Sequence, residues 1–152
     1  MSAHIDALAR RFAEPVSGPS HRLWVRVTAV AMAAVAVPWG AWSLLATSGE
    51  LTWEQVAAAV ALAAVLLAPL PGLLFGRTVV DATGIRQLGW MGREIAWAEV
   101  RRVRMIRIPM APRLVASAGM GRARVFHSGS AELDRAFEQA VDELTRPAGP
   151  RA

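Results

Sequence analysis

Residues 27–46 read VTAVAMAAVAVPWGAWSLLA, and residues 56–75 read VAAAVALAAVLLAPLPGLLF. Each run is 20 residues long and neither carries a charge. As an α-helix each extends about 30 Å, the hydrocarbon thickness of a bilayer. A helix of that length on a water-soluble protein needs a polar stripe, and neither run has one. The pair therefore reads as a transmembrane hairpin occupying residues 22–76, with spans at 23–46 and 53–75.

The charges outside the runs set an orientation. Residues 1–26 hold Arg10, Arg11, Arg22 and Arg26 against Asp6 and Glu14. The connection 47–55 holds Glu50 and Glu54 and no base. Residues 77–152 hold thirteen arginines against eight acids. Basic flanks stay in the cytoplasm, so both termini are expected inside a multi-pass cytoplasmic-membrane protein, with the acidic loop outside. Trp24 falls at the inner boundary, while Trp42 and Trp53 bracket the outer loop, at headgroup depth. Arg10-Arg11-Phe12 resembles a twin-arginine signal, but the apolar run is too long and too far downstream, and a second span follows at once.

Both spans contain proline. Pro38 predicts a kink in the first; Pro69 and Pro71, followed by Gly72, predict a break in the last third of the second. No ionisable residue lies in either run, so the broken helix offers nothing to hold an ion or relay a proton. Ala57 and Ala61, Ala59 and Ala63, and Ala64 and Ala68 would let another helix approach closely, a spacing that also arises by chance in so alanine-rich a segment.

A chain of 152 residues, 54% of them hydrophobic, has room for this hairpin and one small domain. Every basic residue is histidine or arginine, with no lysine, which fits genome composition as well as any selected chemistry. Cysteine is absent, which excludes a disulfide framework, a thiolate site and an iron–sulfur cluster.

After Arg77 the pattern changes to short runs separated by turns. Strands are predicted at 78–80, 85–88, 93–97, 100–108, 113–118 and 122–127. Asp81-Ala82-Thr83-Gly84 reads as a tight turn with Gly84 free to take a positive φ. Gly89-Trp90-Met91-Gly92 and Gly119-Met120-Gly121 make further turns, and Pro109 ends the long strand. The period then switches to 3.6. Ser128 or Ser130 caps a helix whose stripe is Leu133, Phe137, Val141 and Leu144, with Glu132 and Asp134 at its positive end. That helix is expected to lie on the sheet, burying Leu133 and Phe137, with Ile85, Ile95, Trp97, Val100 and Val103 in the core. Residues 147–152 read as a disordered tail.

The segments Thr78-Val79-Val80-Asp81-Ala82-Thr83-Gly84-Ile85-Arg86 and Gly92-Arg93-Glu94-Ile95-Ala96-Trp97-Ala98-Glu99-Val100 resemble bacterial membrane-anchored proteins with a pleckstrin-homology (PH)-like domain. Their shared form is a strand, an Asp-x-x-Gly-Ile turn, a basic strand and a hydrophobic-x-Trp-x-acid-Val segment. Small actinobacterial PH domain-containing membrane proteins with two spans look particularly similar, and the likeness covers residues 23–145. The resemblance implies an α-helical transmembrane hairpin plus a small PH-like β-sandwich or barrel capped by a C-terminal α-helix. Residues 1–21 would be an N-terminal cytoplasmic segment and 77–146 the cytoplasmic PH-like domain. It implies no activity, since a fold does not carry one. Phosphoinositide-binding PH domains place their basic signature around the first hairpin loop. That loop reads here as Asp81-Ala82-Thr83-Gly84, short and acidic, so the corresponding headgroup pocket is not expected.

Nothing in the sequence forms a catalytic constellation. His4, His21 and His127 are scattered, Ser128 points away from His127 on a strand, and no carboxylates pair at metal-ligand spacing. No enzyme activity, cofactor or metal is expected. Arg86, Arg102, Arg104, Arg107, Arg122 and Arg124 are the candidate surface for anionic lipid or a partner. They read equally well as a solvated face partly paired with Glu99 or Glu138. Nucleic acid is not expected, because the strands lack interleaved aromatics. Trp97 reads as core, since its large ring is placed to plug the sheet. These features point to a non-enzymatic protein-interaction or assembly module at the inner leaflet, bound to the bilayer and to a protein partner or another copy. The other readings are an anionic-lipid sensor and an accessory subunit of a membrane complex.

Overall fold

The computed structural model describes residues 2–46, 49, 52–89, 92–108, 112–119 and 122–146. The chain opens with helix α1 (Ser2–Arg11) and strand β1 (Val16–Pro19), before two long apolar helical segments, α2 (Leu23–Ala46) and α3 (Trp53–Leu67) continued by α4 (Leu70–Phe75). Strands β2 (Arg77–Val80), β3 (Gly84–Leu88), β4 (Arg93–Ala96), β5 (Val100–Ile106), β6 (Arg113–Ala118) and β7 (Arg122–His127) follow, and helix α5 (Ala131–Thr145) closes the fold. The strands form two antiparallel sheets, ordered β1-β2-β3-β4 and β5-β6-β7.

The two apolar segments are long enough to cross a membrane, at 24 residues for Leu23–Ala46 and 23 for Trp53–Phe75, and none of their residues is buried within the protein. Helix α2 runs on through Pro38. The second segment does break: α3 ends at Leu67 and α4 starts at Leu70, because Pro69 has no amide hydrogen and its ring crowds the preceding turn. Helix α3 starts in a capping box, with Thr52 Oγ1 accepting from the Gln55 amide at 3.4 Å and Gln55 Oε1 accepting from the Thr52 amide at 3.2 Å.

The N-terminal segment is part of the folded domain. Strand β1 pairs with β2 in the register Val16↔Val80 to Pro19↔Arg77. The helical hairpin is therefore inserted between two adjacent strands and stands where their connecting turn would be. This moves the sequence assignment by one strand: Asp81–Gly84 closes β2 and β3, while the first hairpin of the sheet is closed by α2, α3 and α4. Helix α1 presents Ile5, Leu8 and Phe12 to the core, and Phe12 of the apparent signal motif stacks on Trp97 with ring centroids 6.0 Å apart.

The core gathers both sheets, α1 and α5. Leu8, Phe12, Ile85, Ile95, Trp97, Val100, Leu114, Phe126, Leu133 and Phe137 are all buried, and Val103, Val141 and Leu144 pack against them partly exposed. Burying each large apolar side chain stabilises the fold by roughly 1.5–3 kcal/mol. Helix α5 is capped by Ser130, whose hydroxyl accepts from the Leu133 amide at 3.3 Å.

Local details differ from the sequence reading. Strand β4 stops at Ala96, and Trp97–Glu99 form a 3-10 turn. Strand β5 ends at Ile106, short of Ile108. Gly84 does not take a positive φ; Gly89 does, at 154°. Glycine is required at 84 by close approach, since a Cβ there would overlap the carbonyl oxygen of Ile95. Trp90, Met91, Pro109, Met120, Gly121 and the tail 147–152 lie outside the described residues.

Candidate functional site

The Asp-x-x-Gly-Ile turn and the tryptophan segment form one hydrogen-bonded unit. Asp81 Oδ1 accepts from the Thr83 amide at 2.8 Å, the Thr83 hydroxyl at 2.5 Å and the Gly84 amide at 3.1 Å. Its Oδ2 accepts from Arg86 at 2.5 Å. Trp97 joins twice, its indole N–H donating to the Asp81 carbonyl at 2.9 Å and its amide to the Thr83 carbonyl at 3.0 Å. Burial raises the Asp81 pKa, but the hydrogen bonds from Thr83, Arg86 and Gly84 outweigh it and hold the carboxyl below its usual value. Arg86 is thus tied to the turn.

The five candidate arginines whose side chains are described do not form one patch. Arg124 belongs to the corner between the sheets, where its guanidinium donates to the Glu94 carbonyl, and Arg93 donates to the Val125 carbonyl at 3.1 Å. Two guanidiniums thereby bridge β4 and β7, the facing edges of the two sheets. Arg107 is exposed and pairs with Glu138 of α5 at 3.0 Å. Arg102 and Arg104 are exposed on β5 and share a face. The side chain of Arg122 lies outside what is described.

Among the described residues strand β5 is a sheet edge, paired with β6 alone. A bulge between Val100 and Arg102 leaves Arg101 outside the register. Two neighbouring cavities, of about 510 and 560 Å³, run between β5 and α5. Val103, Met105, Val141 and Leu144 supply their apolar lining. Arg101, Arg102 and Arg104 line the strand side, and among the described residues none of these three makes an ion pair. The arrangement offers backbone hydrogen-bonding groups on an open strand edge, an apolar floor and arginines along the strand side, while Glu138 and Asp142 line the helix side.

Two histidines that are far apart in the chain meet in space. The rings of His21 and His127 lie 5.1 Å apart, tilted by 35°. His21 is brought there by the segment joining β1 to α2, and His127 by the end of β7. Burial, then Arg26 and Arg113, lower the His21 pKa. Burial, then His21, Arg113 and Arg93, lower that of His127 to about 4. Nothing local in the sequence signals this pair, because it depends on β1 joining the sheet.

No family model, no curated protein and no solved structure matches this chain.

Proposed function

We propose that this chain is a non-enzymatic, membrane-anchored interaction module. Its two apolar segments cross the cell membrane, and a PH-like domain and both termini lie on the cytoplasmic side. The PH-like reading is supported by a four-stranded and a three-stranded antiparallel sheet followed by a C-terminal helix. Membrane insertion is supported by two long helical segments with no buried residue and no charge in their central runs. The groove between β5 and α5 takes an extended, acidic segment of a partner protein, which adds to β5 as a further strand. The observation that carries this is the unpaired edge of β5 beside an apolar groove rimmed by Arg101, Arg102 and Arg104. Main-chain hydrogen bonds supply affinity in such a mode, and alternate side chains in the groove supply specificity. Acidic residues on the partner would pair with the arginines and speed its capture.

The test places a photo-crosslinking residue at Arg104, or at Leu62 in the second apolar segment, in native membranes. Mass spectrometry then identifies what each captures. The expected result is one acidic protein segment captured from position 104. Its capture falls about tenfold with Arg101→Glu and Arg102→Glu together, the worth of one or two charge-assisted contacts. Capture from Leu62 alone would move the function to the hairpin, as an accessory subunit or an assembly of copies. Capture unaffected by charge reversal would refute strand addition in this groove.

A further inference from the structure

A cavity of about 430 Å³ lies where the second apolar segment breaks against the sheets. One wall is polar, formed by His21, Gln87, Arg93 and His127. The other is apolar, formed by Ala68, Pro69 and Leu73 at the junction of α3 and α4. Among the described residues no carboxylate lines it. Behind the polar wall, and not lining the cavity, Arg113 of β6 acts on both imidazoles and Arg26 of α2 on His21. One guanidinium and two imidazoles therefore face the cavity, and among the described residues no carboxylate faces them.

The polar wall is also incompletely hydrogen-bonded. Within that wall the Oε1 of Gln87 is buried and has no partner among the described residues, and behind it the Nε of Arg26 and of Arg113 are likewise buried and unpartnered. A buried polar group left unpaired is destabilising, the more so when it is charged. Such groups mark places where a ligand completes the structure. Guanidinium donors match the oxygen geometry of a phosphate. The Gln87 oxygen suits a headgroup hydroxyl.

We infer that this cavity binds the phosphate headgroup of an anionic phospholipid, with the acyl chains lying along α3 and α4. The source of the phosphate is decided by the opposite wall. A free phosphate would satisfy the cationic side and leave Ala68, Pro69 and Leu73 facing water. An amphiphile covers both. The break at Pro69 is what opens the cavity towards the apolar segment, so the proline has a consequence beyond bending the helix. The lipid source, though not the anion site itself, rests on the membrane-spanning reading above. The site is separate from the β5–α5 groove and shares no lining residue with it.

The test uses the full chain in a non-ionic detergent. Short-chain phosphatidylglycerol, short-chain phosphatidylcholine and inorganic phosphate are each titrated while the imidazole NMR signals are followed. The chain has three histidines, so His4 serves as an internal control. Phosphatidylglycerol is expected to shift His21 and His127 saturably, leave His4 in place and raise the titration midpoints of the pair. Phosphatidylcholine is expected to be at least about tenfold weaker, and Arg93→Gln, at the guanidinium that lines the cavity, to weaken phosphatidylglycerol by about the same factor. If that variant loses its fold, read by near-ultraviolet dichroism, Gln87→Leu, at the unpaired polar side chain of the wall, takes its place. Equal shifts from both lipids, or none from phosphatidylglycerol, would overturn the proposal. Inorganic phosphate binding as tightly as phosphatidylglycerol would reject the lipid and assign a soluble anion. Membrane insertion is read separately, by whether the chain resists alkaline extraction from membranes, so failure of that reading is distinguishable from failure of this site.

Discussion

Asp81 shows how much one side chain can organise. Its carboxylate closes the β2–β3 turn through Thr83 and Gly84 and holds Arg86, while its carbonyl receives the Trp97 indole. The two halves of the sequence pattern, Asp-x-x-Gly-Ile and hydrophobic-x-Trp, are thus one unit: the turn supplies the acceptors that a buried indole and amide need. Asp81→Ala is expected to lower stability by about 1–3 kcal/mol, measured by chemical denaturation followed by near-ultraviolet dichroism. Asp81→Asn should lose less, because it keeps an oxygen acceptor and gives up only the charge that Arg86 pairs with. A loss from Asp81→Asn as large as that from Asp81→Ala would place the main contribution in the ion pair. This residue-level arrangement was legible in the sequence as a turn and a core tryptophan. The two hydrogen bonds from Trp97 were not, because they cross from the β2–β3 turn to a later segment.

At the scale of elements, the joints matter more than the strands. Helix α5 is tied to the base of α2 by Arg22 and Asp134 at 3.1 Å. Gly129, just after β7, donates its amide to the Pro19 carbonyl at 2.9 Å, and a Cβ at 129 would overlap that oxygen. Thr78 Oγ1 accepts from the Ser20 hydroxyl at 3.0 Å and donates to the His127 carbonyl at 2.9 Å. The histidine pair sits in this same joint, where β7 meets the segment between β1 and α2. Both pKa values are lowered, so the folded state holds the imidazoles neutral where the unfolded chain would protonate them. Stability is then full above pH 6.5 and falls as the pH drops towards about 4, the value of His127. Asp81, whose pKa is also lowered, adds a further loss as its carboxylate protonates at lower pH. Thermal melts across this window should show the decline, and His127→Gln should flatten it between 6.5 and 4. An unchanged slope in that variant would remove the pair from the account.

On the scale of the whole molecule, the apolar hairpin is an insertion within one domain. The chain completes α1 and β1, leaves through α2, returns through α4 and resumes the sheet at β2. Residues 77–146 alone therefore lack β1, the edge of a sheet, and Leu8 and Phe12, two buried core side chains. That fragment is expected to be unfolded or aggregated, since an uncovered edge and an open core are both liabilities. Replacing residues 23–75 by a short turn should instead yield a folded domain, because Pro19 and Arg77 are already paired neighbours. Amide dispersion in a proton–nitrogen NMR spectrum distinguishes the two. A well-folded 77–146 fragment would show that the N-terminal elements are dispensable. The insertion also gives the hairpin two short tethers to the domain, which holds the base of the second segment against the histidine joint.

The sequence by itself determined the features that depend on local periodicity. The two apolar runs, the break at Pro69, strands β2 to β7 and the stripe of α5 all follow from spacing within a few turns or residues. Burial of Trp97, Leu133 and Phe137 follows from the same patterns. Helix α1 had a readable signal in Ile5, Leu8 and Phe12, hidden beside an apparent signal motif. Strand β1 had none, since Val-Ser-Gly-Pro is a turn composition that only pairing with β2 makes a strand. Only the tertiary structure decided that the hairpin replaces a turn, that Arg93 and Arg124 bridge the sheets, and that His21 meets His127. Each of these joins residues distant in the chain, and such contacts are set by which edges and faces remain to be covered once the local elements have formed.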